Sequence, residues 1–488
     1  MGKDQQAGIT RRQAVAGLGA AAAAGTASAP ARAASGTGEE LTWLPAWRIR
    51  ELIVARKVSA LEVTDHFLAR IARLEPRLHM FRGLDAEGAR EQARAADRAL
   101  AAGAAPGPLH GVPTALKEHV PAKGLPYGNP MDANYQPRIA PRDSITAERL
   151  RTAGAVIVGS TVMPGMGTGA GMPDLARHPR NPWNTDRVPG SSSTGSAAAV
   201  ASGCLPFAIG SDGGGSTRLP ASFTGLIGLH TTFGRVPELD LEHRQLNFFS
   251  TIDPLTRDAR DTALVLKVIA GPDGRAMLSS VLPPAPDYLA ELDRGASGAK
   301  LLWMDDLGFA ASYATAETPR VATVARQAAQ GFAAIGATVA PGKGQWSEPR
   351  AYSSMLNGTY SGQPMARRPS DEELLASLDM REKMRSEFAA LLARYDAIAL
   401  PTALTTAPTL ADWDAGWRDM GGYSRAYTAN TLMFNFLALP AISIPVGFLD
   451  GMPVGLQLVG LPDSEPKLLR LANAYLKKYP RTERPNLA

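Results

Sequence analysis

Cysteine is almost missing from this chain. Cys204 is the single one in 488 residues, so no intrachain disulfide can form, and its small apolar neighbours read as a packing site for a thiol. Histidine is scarce as well. The seven (His66, His79, His110, His119, His178, His230 and His243) are scattered, without the spacing of a metal-ligand set. The G-x-S-x-G elbow of histidine-assisted serine hydrolases does not occur. Aromatic residues make up 6%, and no basic stripe interleaves with them, so nucleic-acid binding gets no support. The formal charge is +5, of which residues 1–33 carry +3, leaving a nearly neutral remainder. Past the N-terminus no apolar run is long enough to span a membrane. What remains is an enzyme-sized globular chain, 45% apolar and 20% charged.

The N-terminus reads as a targeting segment. Thr10-Arg11-Arg12-Gln13 precedes an Ala/Gly-rich run from Ala14 to Ala24, and Ala31-Arg32-Ala33 offers an A-x-A cleavage signal. Paired arginines before a mildly apolar run resemble a twin-arginine export signal. The expectation is a leader over residues 1–33 and one domain over residues 34–488. That domain would be periplasmic or secreted, with no stable membrane insertion once the leader is removed.

The remainder alternates helix and strand signals, the grammar of an α/β protein. Ser59-x-x-Glu62 is a capping box that opens an amphipathic helix to about Leu74. Asp85 starts a second helix, and Asp143 a third that ends before Gly154. Ala155–Gly159 and Ala397–Pro401 read as buried strands, and Val321–Ala340 repeats the helix–Gly–strand order. Near the C-terminus, Ala441–Phe448 and Met452–Val459 flank Leu449-Asp450-Gly451, a hairpin signal that makes the sheet mixed rather than all parallel. A last helix is expected from about Ser464 to Leu476. The prediction is a single large domain with a mixed central β-sheet covered on both faces by helices.

The chemistry concentrates in Pro189–Pro220, where two Gly/Ser-rich runs, Gly190–Ser196 and Gly210–Thr217, flank one small-residue apolar segment. Three consecutive glycines, Gly213, Gly214 and Gly215, can turn successive N–H groups toward one point, a nest for a developing oxyanion. Ser216 closes that loop and is placed as a nucleophile. A phosphate loop is ruled out because Ser216 stands where that motif requires lysine. A serine nucleophile needs a base. Gly111–Lys117 (GVPTALK) is a strand-like apolar run ending in a cation, and burial would turn that lysine into a neutral proton acceptor. The bland alternative for each loop alone is a tight turn, and for Lys117 a snorkelling side chain.

Together, Lys117, the Ser191-Ser192-Ser193 run and Ser216 resemble the amidase signature family of Ser-cisSer-Lys hydrolases. The likeness extends through GVPTALKEHV, RNPWNTDRVPGSSSTGSAAAVASG, GSDGGGSTRLPASFTGLIGLHTTFGRVP, IDPLTRDARDTALVLKVIAG and LPAISIPVGFLDGMPVGLQLVG, in order along nearly the whole remaining chain. The resemblance implies Ser216 as nucleophile, Ser192 as bridging serine after a cis peptide, and Lys117 as base. It implies an oxyanion hole from the N–H groups of Gly213, Gly214, Gly215 and Ser216. Ser193, Asp212 and Arg218 would support the loops. Met166, Gly167 and Thr168 would line the acyl side of the cleft, and the aromatic-rich 345–430 region either walls the leaving-group side or packs over the sheet. Glu118, His119, Ser191 and Thr194 depart from the usual pattern without removing a chemical group. The expected activity is hydrolysis of a linear amide, aryl amide or carbamate (urethane) without metal or other cofactor. Alternatives are the glutaminase component of a tRNA-dependent amidotransferase, or an inactive binding protein on the same fold. The expected partner is a small-molecule amide or carbamate, not a nucleic acid; the sequence leaves the oligomeric state open.

Overall fold

Short apolar runs that stop at Gly, Pro or a polar residue become strands, and thirteen are found among the described residues. A computed structural model describes residues 37–128, 136–164, 175–238, 249–361, 367–418 and 423–487. The strands are β1 (Phe81–Leu84), β2 (Pro113–Lys117), β3 (Pro126–Tyr127), β4 (Arg138–Ile139), β5 (Val156–Thr161), β6 (Phe207–Asp212) and β7 (Ile227–His230). They continue with β8 (Thr251–Thr256), β9 (Lys300–Trp303), β10 (Thr338–Pro341), β11 (Ala397–Pro401), β12 (Ala441–Leu449) and β13 (Met452–Val459). Eleven form one sheet in the order β1-β5-β2-β6-β8-β7-β12-β13-β11-β9-β10, while β3 and β4 pair separately. The sheet is mixed, as expected. β2 runs parallel to β5 and β6, whereas β8 is antiparallel to β6 and β12 to β13. The hairpin closes at Asp450 and Gly451, both at positive φ.

The helices follow their caps. Ser59 and Glu62 form the expected box at the head of Ala60–Leu78, and Asp85 caps Ala86–Ala101. The third helix is shifted by one residue. Ser144, not Asp143, accepts from the N–H of Ala147, and Asp143 instead takes the Lys123 N–H and the Arg151 guanidinium. The last helix runs over Glu465–Lys478.

Two elements carry the site. Helix Thr194–Ala201 is buried at every position, which its small side chains permit. A Cβ on Gly195 would meet the backbone of Met80 and Val162, so glycine is what lets this helix approach β1 and β5. Helix Arg218–Thr224 is likewise wholly buried and packs across β7, β12 and β13. The loops that precede these two helices are therefore held from below by the sheet.

Candidate active site

β6 ends at Asp212, and the chain then loops through Gly213–Thr217 into helix Arg218–Thr224. Asp212 and Arg218 face each other with both side chains fully buried, Nε to Oδ2 at 2.9 Å and Nη2 to Oδ1 at 3.0 Å. Asp212 also accepts the N–H groups of Gly215 (2.6 Å), Thr217 and Arg218 (3.3 Å each). Burial alone would raise its pKa, but the Arg218 guanidinium and the Asn435 amide hold the carboxyl well below the usual range. Arg218 in turn donates to Gln457 Oε1 at 2.7 Å and Asn435 Oδ1 at 2.5 Å. The Asn435 amide closes the circle by donating to Asp212 O and Oδ1, 2.9 Å each, and to Phe249 O at 3.1 Å. A buried ion pair stays favourable only when its remaining valences are met, and here residues of the C-terminal third meet them.

The three glycines are not equivalent. Gly215 has φ +119°, and a Cβ there would collide with Thr431 Oγ1. Gly213 and Gly214 have ordinary φ and meet nothing nearer than Ser250 Cβ at 3.6 Å and Leu432 Cδ1 at 3.4 Å. Gly215 also turns its N–H inward to Asp212 Oδ1, so it shapes the nest rather than donating from it. Gly213, Gly214 and Ser216 are left as the donors an oxyanion could meet. Ser216 itself is partly exposed.

Lys117 ends β2 and is completely buried. Its Nζ donates to Ser192 Oγ at 2.7 Å and Ser211 Oγ at 2.9 Å, and lies 3.5 Å from Ser211 O. Burial lowers its pKa to about 7 against the opposing pull of Asp212, Glu118, Asp253 and Glu238. An amine so placed is largely neutral slightly above neutral pH and can accept a proton. The Ser191–Ser192 peptide is cis. Ser193 Oγ donates to Ser211 O and accepts from Ser211 N, both at 3.1 Å, while its own N–H reaches Ser216 O at 3.1 Å. The two loops are thus laced together backbone to backbone. Glu118 is buried against Arg82 (2.7 Å) and takes the N–H of Met163 at 2.5 Å. It anchors the chain just before 165–174, and its charge also acts on Lys117.

Asp212, His230 and Asp253 bring ligand-type atoms within 4.8 Å of one another. The set does not suit a cation. Asp212 is committed to Arg218 and Asn435, and Asp253 accepts from Thr231 N and Thr251 Oγ1. A divalent ion would also sit against the Arg218 guanidinium. Burial, together with the Asp212 charge, instead raises the Asp253 carboxyl well above its ordinary value. Burial and Arg218 lower His230 to about 3, so the cluster is a balanced support behind the nucleophile loop.

The structure therefore brings Lys117, Ser192, Ser193, Asp212, Arg218 and Ser216 together. Met166, Gly167 and Thr168 lie outside the described residues. Ser211, Asn435 and Gln457 were missed from sequence. Of the aromatic region, Trp346 stacks on Phe388 at 4.1 Å and Trp413 on Tyr427 at 5.4 Å, both in the core.

The Amidase family profile matches residues 62–343 and 350–469. The chain belongs to the amidase family. Among curated relatives, the glutamyl-tRNA(Gln) amidotransferase A subunit of Moorella thermoacetica is 34% identical, covering 89% of this chain and 96% of its own. The corresponding protein of Chloroflexus aggregans is 31% identical over 92% of this chain and 99% of its own. Among solved structures, a bacterial aryl acylamidase superposes with a TM-score of 0.76 at 24% identity, covering 91% of this chain and 98% of its own. A 6-aminohexanoate cyclic dimer hydrolase gives 0.76 at 26% identity, covering 91% of this chain and 99% of its own. These amidases share its fold.

The expectation of a periplasmic or secreted protein is corrected by the same relatives. They are named as A subunits of glutamyl-tRNA(Gln) amidotransferase, an enzyme whose named substrate is a charged tRNA. The arginine pair and A-x-A signal behind that expectation lie within residues 1–36, outside the described residues.

Proposed function

We propose that this amidase-family hydrolase cuts a C–N bond through an acyl-enzyme on Ser216. The observation that carries the reading is a fully buried Lys117 at 2.7 Å from Ser192 Oγ, on a loop laced to Ser216 through Ser193. As Ser216 Oγ attacks the amide carbonyl, its proton passes to Ser192 while Ser192 gives its own to neutral Lys117. The N–H groups of Gly213, Gly214 and Ser216 receive the oxyanion. The proton then returns to the nitrogen, the C–N bond breaks, and the amine or ammonia leaves. Water adds to the acyl-enzyme by the same relay, releasing the acid and restoring Ser216.

For the substrate, the first reading is the carboxamide of glutamine, with the chain acting as the glutaminase component of a tRNA-dependent amidotransferase. Relatives at 31–34% identity along most of both chains support it. Such a component would pass ammonia to its partner proteins. The second reading, free-standing hydrolysis of linear amides, aryl amides or carbamates, is favoured by the fold neighbours, among them the aryl acylamidase and the 6-aminohexanoate cyclic dimer hydrolase. Ammonia release from glutamine, measured with and without the partner proteins, is set beside turnover of anilides, peptide amides and carbamates. Glutamine turnover that partners accelerate is expected. Brisk anilide hydrolysis with no ammonia from glutamine in either state would replace the first reading with the second.

A further inference from the structure

A cluster of charged side chains stands beside the oxyanion loop without serving the proton relay. Tyr313 closes the short turn Ala310–Tyr313, Glu348 precedes helix Arg350–Ser361, and Arg425 lies in helix Tyr423–Thr428. Arg350 donates from Nε to Glu348 Oε1 at 3.2 Å and from Nη2 to Thr428 Oγ1 at 2.5 Å. The Tyr313 hydroxyl donates to the other Glu348 oxygen. Arg425 lies over the Tyr313 ring, its guanidinium carbon 5.6 Å from the centroid, with Nη1 3.5 Å from the Tyr313 hydroxyl.

The charge of this cluster does not cancel. It holds two guanidiniums and one carboxylate, and Glu348 is already shared by Arg350 and Tyr313. Among the described residues no carboxylate is paired with Arg425, and its Nε is buried without a hydrogen-bond partner. A buried guanidinium donor left unmatched is costly unless something accepts from it. The cluster also touches the chemistry. Thr428 O accepts the N–H of Thr431 at 3.1 Å, and Thr431 Oγ1 donates to Gly214 O at 2.8 Å. A short chain of contacts therefore runs from Arg350 through Thr428 and Thr431 to the oxyanion loop.

We infer that Arg425, with Arg350 beside it, receives a free carboxylate on the substrate, so that the preferred amide is an amido acid. This rests on the acyl-transfer reading of Ser216 and narrows its substrate class. A guanidinium fork matches a carboxylate in shape and charge, and the aromatic face of Tyr313 holds that fork in plane.

The test measures binding rather than turnover. Glutaramate and its methyl ester are titrated calorimetrically into the full-length Ser216→Ala protein. The acid should bind at least about tenfold more tightly, the usual scale of a charge-assisted pair. Adding Arg425→Gln should bring acid and ester level, and Arg425→Lys, which keeps the cation, should restore part of the gap. Equal binding of acid and ester, tighter binding of the ester, no binding of the acid, or a ratio untouched by Arg425→Gln would each overturn the inference. If the glutamine variant does not fold, the acid-to-ester ratio of the Ser216→Ala protein decides alone. Failure of the acyl-transfer reading would appear elsewhere, as a wild-type protein that neither turns over amides nor is labelled by a fluorophosphonate at Ser216.

Discussion

The proton relay and the cluster at Tyr313, Glu348, Arg350 and Arg425 are built in opposite ways. Lys117, Asp212 and Arg218 are fully buried, and each is bound by several partners from distant parts of the chain. The second group is partly exposed and tied by few bonds. The difference has a physical reason. Proton transfer depends on a lysine kept neutral by desolvation, and that requires a rigid, dry surrounding. Recognition asks only for complementary charge at the right reach, which a few partly solvated residues supply.

The sharpest break of this comparison is Ser216→Ala. It should lower turnover by roughly 10⁴-fold or more while leaving the melting temperature in place, because Ser216 is partly exposed and loses only a hydroxyl. A variant that keeps full turnover would remove the nucleophile assignment. Lys117 comes next. Its amine must be neutral to take a proton, and its pKa is about 7, so kcat/KM should fall about tenfold per pH unit below 7 and level off above it. Glu118 favours the charged form of Lys117, so Glu118→Gln should move that limb to lower pH. A limb that stays or moves upward would show that Glu118 serves only its bond to Arg82 and the Met163 backbone.

A smaller effect is expected on folding. Asp212→Ala would leave the Arg218 guanidinium buried without its carboxylate, a loss of about 3–5 kcal/mol. Denaturant unfolding reads this directly. Arg425→Gln, by contrast, removes no buried ion pair and should change stability little. Equal stability losses in the two variants would erase the distinction between the two regions.

How much of this was legible follows the same line. Lys117, Ser192, Ser216, Asp212 and Arg218 could be found because the chemistry sits in contiguous motifs, each ending a strand or opening a helix. The hairpin was legible because Asp450 and Gly451 suit its turn. Asn435 and Gln457 were not, since the loop residues they serve, Asp212 and Arg218, lie more than two hundred residues away. One signal was available: each is a lone amide inside an apolar run, LMFNFLAL and PVGLQLVG, where an unpaired polar group would be costly. Arg425 and Glu348 had no signal at all, because a charged residue on a short helix or loop reads as solvated surface until the fold brings others beside it.

The finest test lies within the nucleophile loop itself. Sequence treats Gly213, Gly214 and Gly215 alike, whereas the structure requires glycine only at the last. Gly215→Ala forces a side chain into φ +119° and against Thr431 Oγ1, which should cost roughly 1–3 kcal/mol and displace the hydroxyl that holds Gly214 O. Because Gly215 also gives its N–H to Asp212, turnover should fall along with stability. Gly213→Ala meets only ordinary contact with Ser250 at an unstrained φ, so its effect on stability should stay within about 0.5 kcal/mol. The two variants differ by the same single methyl group. A Gly213→Ala protein as damaged as Gly215→Ala would mean that the nest needs freedom at every glycine, and that the loop is not pinned from below as the Asp212–Arg218–Asn435 network requires.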